Sequence, residues 1–170
     1  MTSMRSKHTL PSLVLAGALL WAGQALALDK GASAPAFDLQ GVSGPVSLAA
    51  YQGKLVYVDF WASWCGPCRQ SFPWMNEMQA KYGAQGLQVV AINLDAKNSD
   101  ARAFLEANPA QFAVAFDPAG GVPRGYGLKG MPSSYLIGKD GKLIMEHMGF
   151  KAADRAVLEE AIKSALGPAK

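Results

Sequence analysis

Cysteine is scarce: the chain holds two in 170 residues. Two thiols close at most one intrachain bridge, so a small scaffold stapled by several disulfides is excluded, and a chain of this length can bury an ordinary core without staples. Charge is sparse as well. Charged residues make up 17% of the chain and the formal net charge is +3, with the 16 basic residues scattered along it. The electrostatic footprint of a nucleic-acid binder is therefore missing. No apolar run reaches the ~20 residues that span a bilayer, no heptad repeat marks a coiled coil, and no long stretch is polar enough to resist folding. What is present is a half-apolar chain with 18 glycines and ten prolines, within the range of one folded domain. Without a coiled-coil seam, a monomer is the expectation.

Residues 1–27 have the pattern of a secretory signal. Arg5 and Lys7 give a basic start, residues 10–21 form an uncharged apolar run, and Ala25-Leu26-Ala27 offers small residues to a peptidase. The run is short for a membrane span and is interrupted by glycine, so cleavage after about Ala27 is expected in preference to an uncleaved anchor. No cysteine lies near the cut, so a lipid-modified amino terminus is excluded. Cleavage would leave residues 28–170 as one domain and lower the formal net charge to +1. Export matters chemically, because an oxidising compartment draws a pair of thiols into a disulfide unless a partner keeps reducing it.

Residues 30–45 are rich in Gly, Ala, Ser and Pro, and the apolar stretch Phe37 to Leu39 reads as an edge strand within this lead-in. Residues 55–61 are nearly continuous apolar, broken by Asp59, the pattern of a central strand buried on both faces. Cys65-Gly66-Pro67-Cys68 comes next, followed by a helical stretch to about Tyr82 with Phe72, Met75 and Met78 at helical spacing and Pro73 as a kink. Residues 87–94 read as a second strand. Ser99 is placed as the cap of a short helix that Asn108-Pro109 ends. A third strand is expected over 112–116, then a loop, then a weak helix over 122–128. Strands at 135–137 and 142–148 flank Asp140-Gly141, a hairpin signal. An apolar stripe over 153–166 makes the last helix, stopped by Gly167-Pro168. Alternation followed by a hairpin points to an α/β fold, a mixed sheet with helices on both faces.

Two cysteines separated by two residues can close a small disulfide when the first sits at a helix N-terminus and the second one turn further in. The same geometry makes a nucleophile. Unpaired N–H groups and the partial positive charge of the helix end can lower a thiol pKa from about 8.5 to about 7. Cys65 is then the attacking group, and Cys68, more buried, attacks the mixed disulfide and releases the substrate. A zinc site needs two further ligands, and beyond residue 27 there is no third cysteine and one histidine, His147. A plain stabilising bridge is the other reading, but a loop of two residues restricts the unfolded chain little.

The run Val58-Asp59-Phe60-Trp61-Ala62-Ser63-Trp64-Cys65-Gly66-Pro67-Cys68 resembles the active-site signature of the thioredoxin superfamily. Pro73 fits that family's kinked helix, and Gly130-Met131-Pro132 before a strand is similar to its cis-proline loop. An extra strand-plus-helix unit before Pro132, the exported context and Ala34-Pro35-Ala36-Phe37 resemble the TlpA/ResA-like branch of periplasmic thiol-disulfide oxidoreductases. The resemblance implies a thioredoxin-like mixed sheet flanked by helices, with a strand-plus-helix insertion, and neither cofactor nor metal.

It also implies roles. Asp59, expensive to bury in an apolar strand, becomes the proton acceptor for Cys68; the bland alternative is a strand-end residue paired with a surface lysine. The bond before Pro132 becomes cis, leaving the Met131 backbone free to pair with an extended substrate. Met131 and Trp64 then line an apolar landing surface beside Gly66 and Pro67; the lesser alternative for Met131 is ordinary packing. One departure stands out: several members of the branch carry glutamate three residues after the second cysteine, and here that residue is Ser71. A hydroxyl supplies neither the charge nor the proton affinity of a carboxylate, which weakens a specialised role in haem maturation.

The expected function is a protein-disulfide reductase. Its substrates would be exported proteins with a disulfide, such as an apocytochrome c or a copper-site assembly protein, and its electrons would come from a membrane thiol donor. The alternatives are a thiol peroxidase, for which Trp61-Ala62-Ser63-Trp64 lacks the Thr or Ser and the Pro expected ahead of the peroxidatic cysteine, and a copper-binding chaperone. Neither accounts for Asp59 and Pro132 together. A copper site at Met145, His147 and Met148 is disfavoured, because alternation along a strand sends Met148 to the opposite face.

Overall fold

The computed structural model describes residues 28–168, and the expected leader lies outside the described residues. The lead-in holds two three-residue strands, β1 (Asp38–Gln40) and β2 (Pro45–Ser47), paired antiparallel as a sheet of their own. The stretch Phe37 to Leu39 is thus no edge strand of the main sheet. A tight turn doubles the chain back locally, closed by the Gly41 N–H on the Gly44 carbonyl at 2.9 Å. Gly41 is needed there, because a Cβ would sit 2.6 Å from the Val114 carbonyl oxygen.

The main elements follow in order: β3 (Leu55–Trp61), α1 (Gly66–Tyr82), β4 (Leu87–Asn93), α2 (Asn98–Ala107), β5 (Ala113–Phe116), α3 (Gly121–Gly125), β6 (Ser133–Ile137), β7 (Leu143–Met148) and α4 (Asp154–Leu166). Five strands form one mixed sheet in the order β5-β4-β3-β6-β7. β3, β4 and β5 are parallel, and β6 and β7 join antiparallel on the other side of β3. All seven residues of β3 are buried, as an apolar run broken only by Asp59 leads one to expect of a central strand. Two strand-helix units, β4 with α2 and β5 with α3, separate α1 from Pro132.

Helix distribution is uneven. Leu55, Tyr57 and Trp61 on one face of β3 pack with Phe72 and Met75 of α1, Phe104 of α2, and Leu158 and Ile162 of α4. Val56, Val58 and Phe60 on the other face pack with Phe37 and Val46 of the lead-in and with Tyr126 after α3. Three long helices therefore share one face, because β3, β4 and β5 step outward in one direction and right-handed crossovers keep α1 and α2 together. The lead-in takes the second face with α3, which is only five residues long. Its docking is anchored by the Tyr126 hydroxyl, which donates to the Pro35 carbonyl at 2.9 Å.

One local expectation needs correction. α2 begins one residue before Ser99, with Lys97 in the extended N-cap conformation, and Ser99 donates to Asp100 at 3.3 Å without capping. Residues 96–100 are all exposed, so water can serve this helix end and the nearby Asp100 complements its dipole. α1 is unbroken through Pro73; the exposed ring costs the Arg69 carbonyl its helical donor without ending the helix. Among the described residues no helix is long and apolar enough to cross a membrane.

Phe72 ties this layer together, with edge-on contacts to Trp61 at 4.8 Å, Phe104 at 5.0 Å and Phe112 at 5.4 Å between ring centroids. Phe72→Ala is expected to cost about 3–5 kcal/mol, read as a fall in the urea midpoint at unchanged slope; a loss below about 1 kcal/mol would show that these contacts are not central to stability.

Candidate active site

β3 ends at Trp61, and residues 62–64 turn the chain so that Cys65 occupies the N-cap of α1 in an extended conformation, φ −83° and ψ 107°. The turn is closed by the Cys65 N–H on the Ala62 carbonyl at 3.1 Å. Gly66 and Pro67 form the first helical positions. Proline suits them, since its fixed φ is helical and an N–H would find no partner there. Cys65 and Cys68 are joined in a disulfide, with 5.3 Å between their Cα atoms. Cys65 is 6% exposed and Cys68 fully buried.

The sulfur of Cys65 accepts the Cys68 N–H at 3.3 Å. A sulfur at a helix N-cap with an N–H aimed at it is in the environment that stabilises a thiolate once the bridge is reduced, by up to about 2 kcal/mol from the helix end. Trp64 and the Gly66-Pro67 pair surround it on the outside, and Trp64 is 73% exposed.

Asp59 is 2% exposed. Strand alternation puts it on the face of Tyr57 and Trp61, the one that packs with Cys65, Cys68 and α1. Its Oδ2 has no hydrogen-bond partner, and burial holds its carboxyl well above the usual carboxylate range. The phenol of Tyr57 on the same face is also pushed up, first by burial and then by the charge of Asp59. The expectation of a strand-end residue paired with a surface lysine does not describe this position.

The Met131–Pro132 bond is cis. Pro132 is buried and Met131 half-buried, packed against the cluster that contains both cysteines. The loop is held by the Ser133 hydroxyl on the Gly130 carbonyl at 2.8 Å and the Gly149 N–H on the Pro132 carbonyl at 2.8 Å. Ser71 is buried, and its hydroxyl donates to the Cys68 carbonyl at 2.9 Å, a local bond within α1. His147 does not gather the two methionines: its Nε2 lies 3.4 Å from Asp154 Oδ2, Met145 packs toward the core and Met148 is exposed. Among the described residues no group of three His, Cys, Asp or Glu is arranged to hold a metal ion.

Sequence reading missed two residues beside this site. Asn93 and Asp95 are buried at the C-terminal end of β4, and the Asp95 carboxylate receives the backbone N–H and hydroxyl of Ser63. The signal was available in principle. Short polar residues ending an apolar parallel strand lie beside whatever ends the neighbouring strand, and Trp61 is in register with Asn93.

The sequence profile of the AhpC/TSA family matches residues 30–145. Thiol-disulfide oxidoreductase ResA of Bacillus thuringiensis subsp. konkukian is 34% identical over 137 residues, covering 80% of this chain and 78% of its own. ResA of Geobacillus thermodenitrificans is 34% identical over 118 residues, 69% of this chain and 68% of its own. A crystal structure from Chlorobium tepidum, described as a thiol:disulfide interchange protein DsbE, is 61% identical, covers 83% of this chain and all of its own, and superposes with a TM-score of 0.82. The thioredoxin-like mixed sheet expected from the sequence is the fold shared with it.

The buried carboxyl has a measurable consequence. With its folded-state pKa raised, Asp59 keeps its proton where the unfolded chain has lost it, so stability falls as pH rises above about 4. In urea titrations of the oxidised protein, Asp59→Asn is expected to be more stable than the parent by about 1–3 kcal/mol at pH 7, with the advantage vanishing below about pH 4. Parallel pH profiles for the two proteins would contradict the burial argument.

Proposed function

The chain belongs to the AhpC/TSA family within the thioredoxin superfamily and is a thiol-disulfide oxidoreductase, and on that premise we propose that it reduces disulfides in exported proteins, attacking with Cys65 and resolving with Cys68. The observation that carries this reading is the Cys65 sulfur at the N-cap of α1 with the Cys68 N–H aimed at it. In the reduced enzyme the Cys65 thiolate attacks one sulfur of the substrate disulfide. A mixed disulfide forms and the other substrate sulfur leaves as a thiolate. Cys68 then gives its proton to Asp59 and attacks Cys65, which closes the enzyme disulfide and releases the second substrate thiolate. Two electrons pass from the enzyme dithiol to the substrate.

Asp59 suits that task because it is buried, burial raises the proton affinity of its carboxyl, and it lies on the face that packs with Cys68. Met131 suits the docking of an extended substrate. Among the described residues its backbone groups make no hydrogen bond, and its side chain borders the cysteine cluster. The basic start and apolar run of residues 1–27 support export to the periplasm with cleavage after about Ala27. Oxidation of the pair in that compartment makes a membrane thiol donor the natural source of electrons.

Cys68→Ser is expected to accumulate mixed disulfides with exported proteins through Cys65, and Cys65→Ser to form none; diagonal gels of the exported fraction, followed by mass spectrometry, read both. Trapping through residue 68 in the Cys65→Ser variant, with none through Cys65, would reverse the assignment. In a purified mixed disulfide, Asp59→Asn is expected to slow substrate release by about 10²-fold or more at pH 7, and release at the parental rate would remove Asp59 from the mechanism.

A further inference from the structure

We propose that Asp95, held by Asn93, is a positioning residue for Cys65, an assignment that rests on Cys65 being the attacking thiol. Asp95 lies just beyond β4 and is 3% exposed. Its carboxylate accepts the Ser63 N–H at 3.2 Å on Oδ1 and 3.0 Å on Oδ2, the Ser63 hydroxyl at 3.1 Å on Oδ1, and the Asn93 side-chain amide at 2.9 Å on Oδ2. Among the described residues no lysine, arginine or histidine forms an ion pair with it. A buried carboxylate without a cation is expensive and persists where hydrogen bonds satisfy it fully. Here three of the four bonds come from Ser63, in the turn that carries Cys65.

Ser63 stands two residues before Cys65, in the turn between β3 and α1. That turn has few other restraints. Its start is fixed to the sheet by the Leu94 N–H on the Trp61 carbonyl at 2.9 Å, and its end is closed by the Cys65 N–H on the Ala62 carbonyl. Trp64 lies between, with its side chain mostly in solvent. Asp95 is what fastens the middle. Moving the turn would move the Cys65 sulfur relative to the Cys68 N–H, the contact on which thiolate stabilisation depends.

The donor and acceptor pattern is directional, which makes the idea testable by exchange. Asn93 Oδ1 accepts the Asp95 N–H at 2.9 Å, so the Asn93 amide nitrogen must face the carboxylate. Asp95→Asn therefore either opposes two amide nitrogens at the Asn93 contact, or keeps its oxygen there, shared with the Ser63 N–H, and sets its own amide nitrogen where Oδ1 accepted the Ser63 N–H and hydroxyl. The double variant Asn93→Asp/Asp95→Asn restores the complementarity: a carboxylate at 93 accepts both the backbone N–H and the side-chain amide of residue 95, whose oxygen again faces Ser63.

The experiment measures iodoacetamide alkylation of Cys65 in the reduced full chain from pH 5 to 9, with melting temperatures recorded in parallel. Asp95→Asn is expected to slow alkylation at pH 7 by about ten-fold and to move the thiol titration to higher pH. The double variant is expected to return to within about two-fold of the parent. Ser63→Ala, which removes one of the bonds and keeps the backbone N–H, is expected to lie between. A role confined to stability would lower the melting temperature and leave the titration in place; that result, or a double variant no better than Asp95→Asn, overturns the proposal. Should Asp95→Asn fail to fold, Ser63→Ala decides, with a displaced titration supporting the proposal and a parental one overturning it. Alkylation reads Cys65 whichever way electrons flow, so a failure of the reductase direction would appear in the reduction potential, and a failure of the Cys65 assignment in the trapping experiment.

Discussion

A strand buried on both faces can offer chemistry only at its ends, and that constraint on β3 organises the molecule. Seven consecutive residues are hidden, with helices on one side and the lead-in on the other. The C-terminal end of β3 is where the chain emerges, turns and starts α1 at Cys65. Because β4 runs parallel to β3, its own C-terminal end comes out alongside. The antiparallel strand β6 begins at the same edge, which places the Pro132 loop there too, with Ser133 opposite Phe60. The gathering of Cys65, Asp95 and the Pro132 loop at one end of the sheet is a consequence of strand direction as much as of residue identity.

Asp59 is the one exception that β3 admits to its buried run. Hydrophobic packing alone would favour an apolar residue there, and the carboxyl lacks the hydrogen bonds that would compensate its burial. The contrast with Asp95 is instructive. Both carboxyls are buried near the same end of the sheet, yet one is surrounded by donors and the other has an orphaned oxygen. Donors suit a carboxylate that holds a turn in place. An unsatisfied, buried carboxyl suits a group that takes up a proton and gives it back. The two environments match the two proposed roles, a mechanical one for Asp95 and a chemical one for Asp59.

Much of this was legible in the sequence because it is local. The apolar run around Asp59 indicated a central strand, the cysteine spacing indicated a helix start, and Asp140-Gly141 marked the hairpin between β6 and β7. Two features were not legible, for physical reasons. The β1–β2 pairing depends on a turn at Gly41 that only close packing against Val114 explains. The Ser63–Asp95 contact joins residues 32 apart in sequence, and it follows only once β4 is known to pair parallel with β3, with Asn93 beside Trp61. Ser99 illustrates the opposite error: a good capping residue was passed over because an exposed helix end can be served by water. The cis bond at Pro132 could not have come from local preference, which favours trans; it was readable only through the resemblance of its loop.

The central claim is that this dithiol gives electrons to its substrates. Equilibrating the Cys65–Cys68 pair with a glutathione or dithiothreitol couple measures its reduction potential directly. A reductase with Gly-Pro between its cysteines, as in thioredoxin, is predicted to have a value near the roughly −270 mV of thioredoxin. A value near the roughly −120 mV of a strong disulfide donor would contradict the account, since the pair would then take electrons from its substrates.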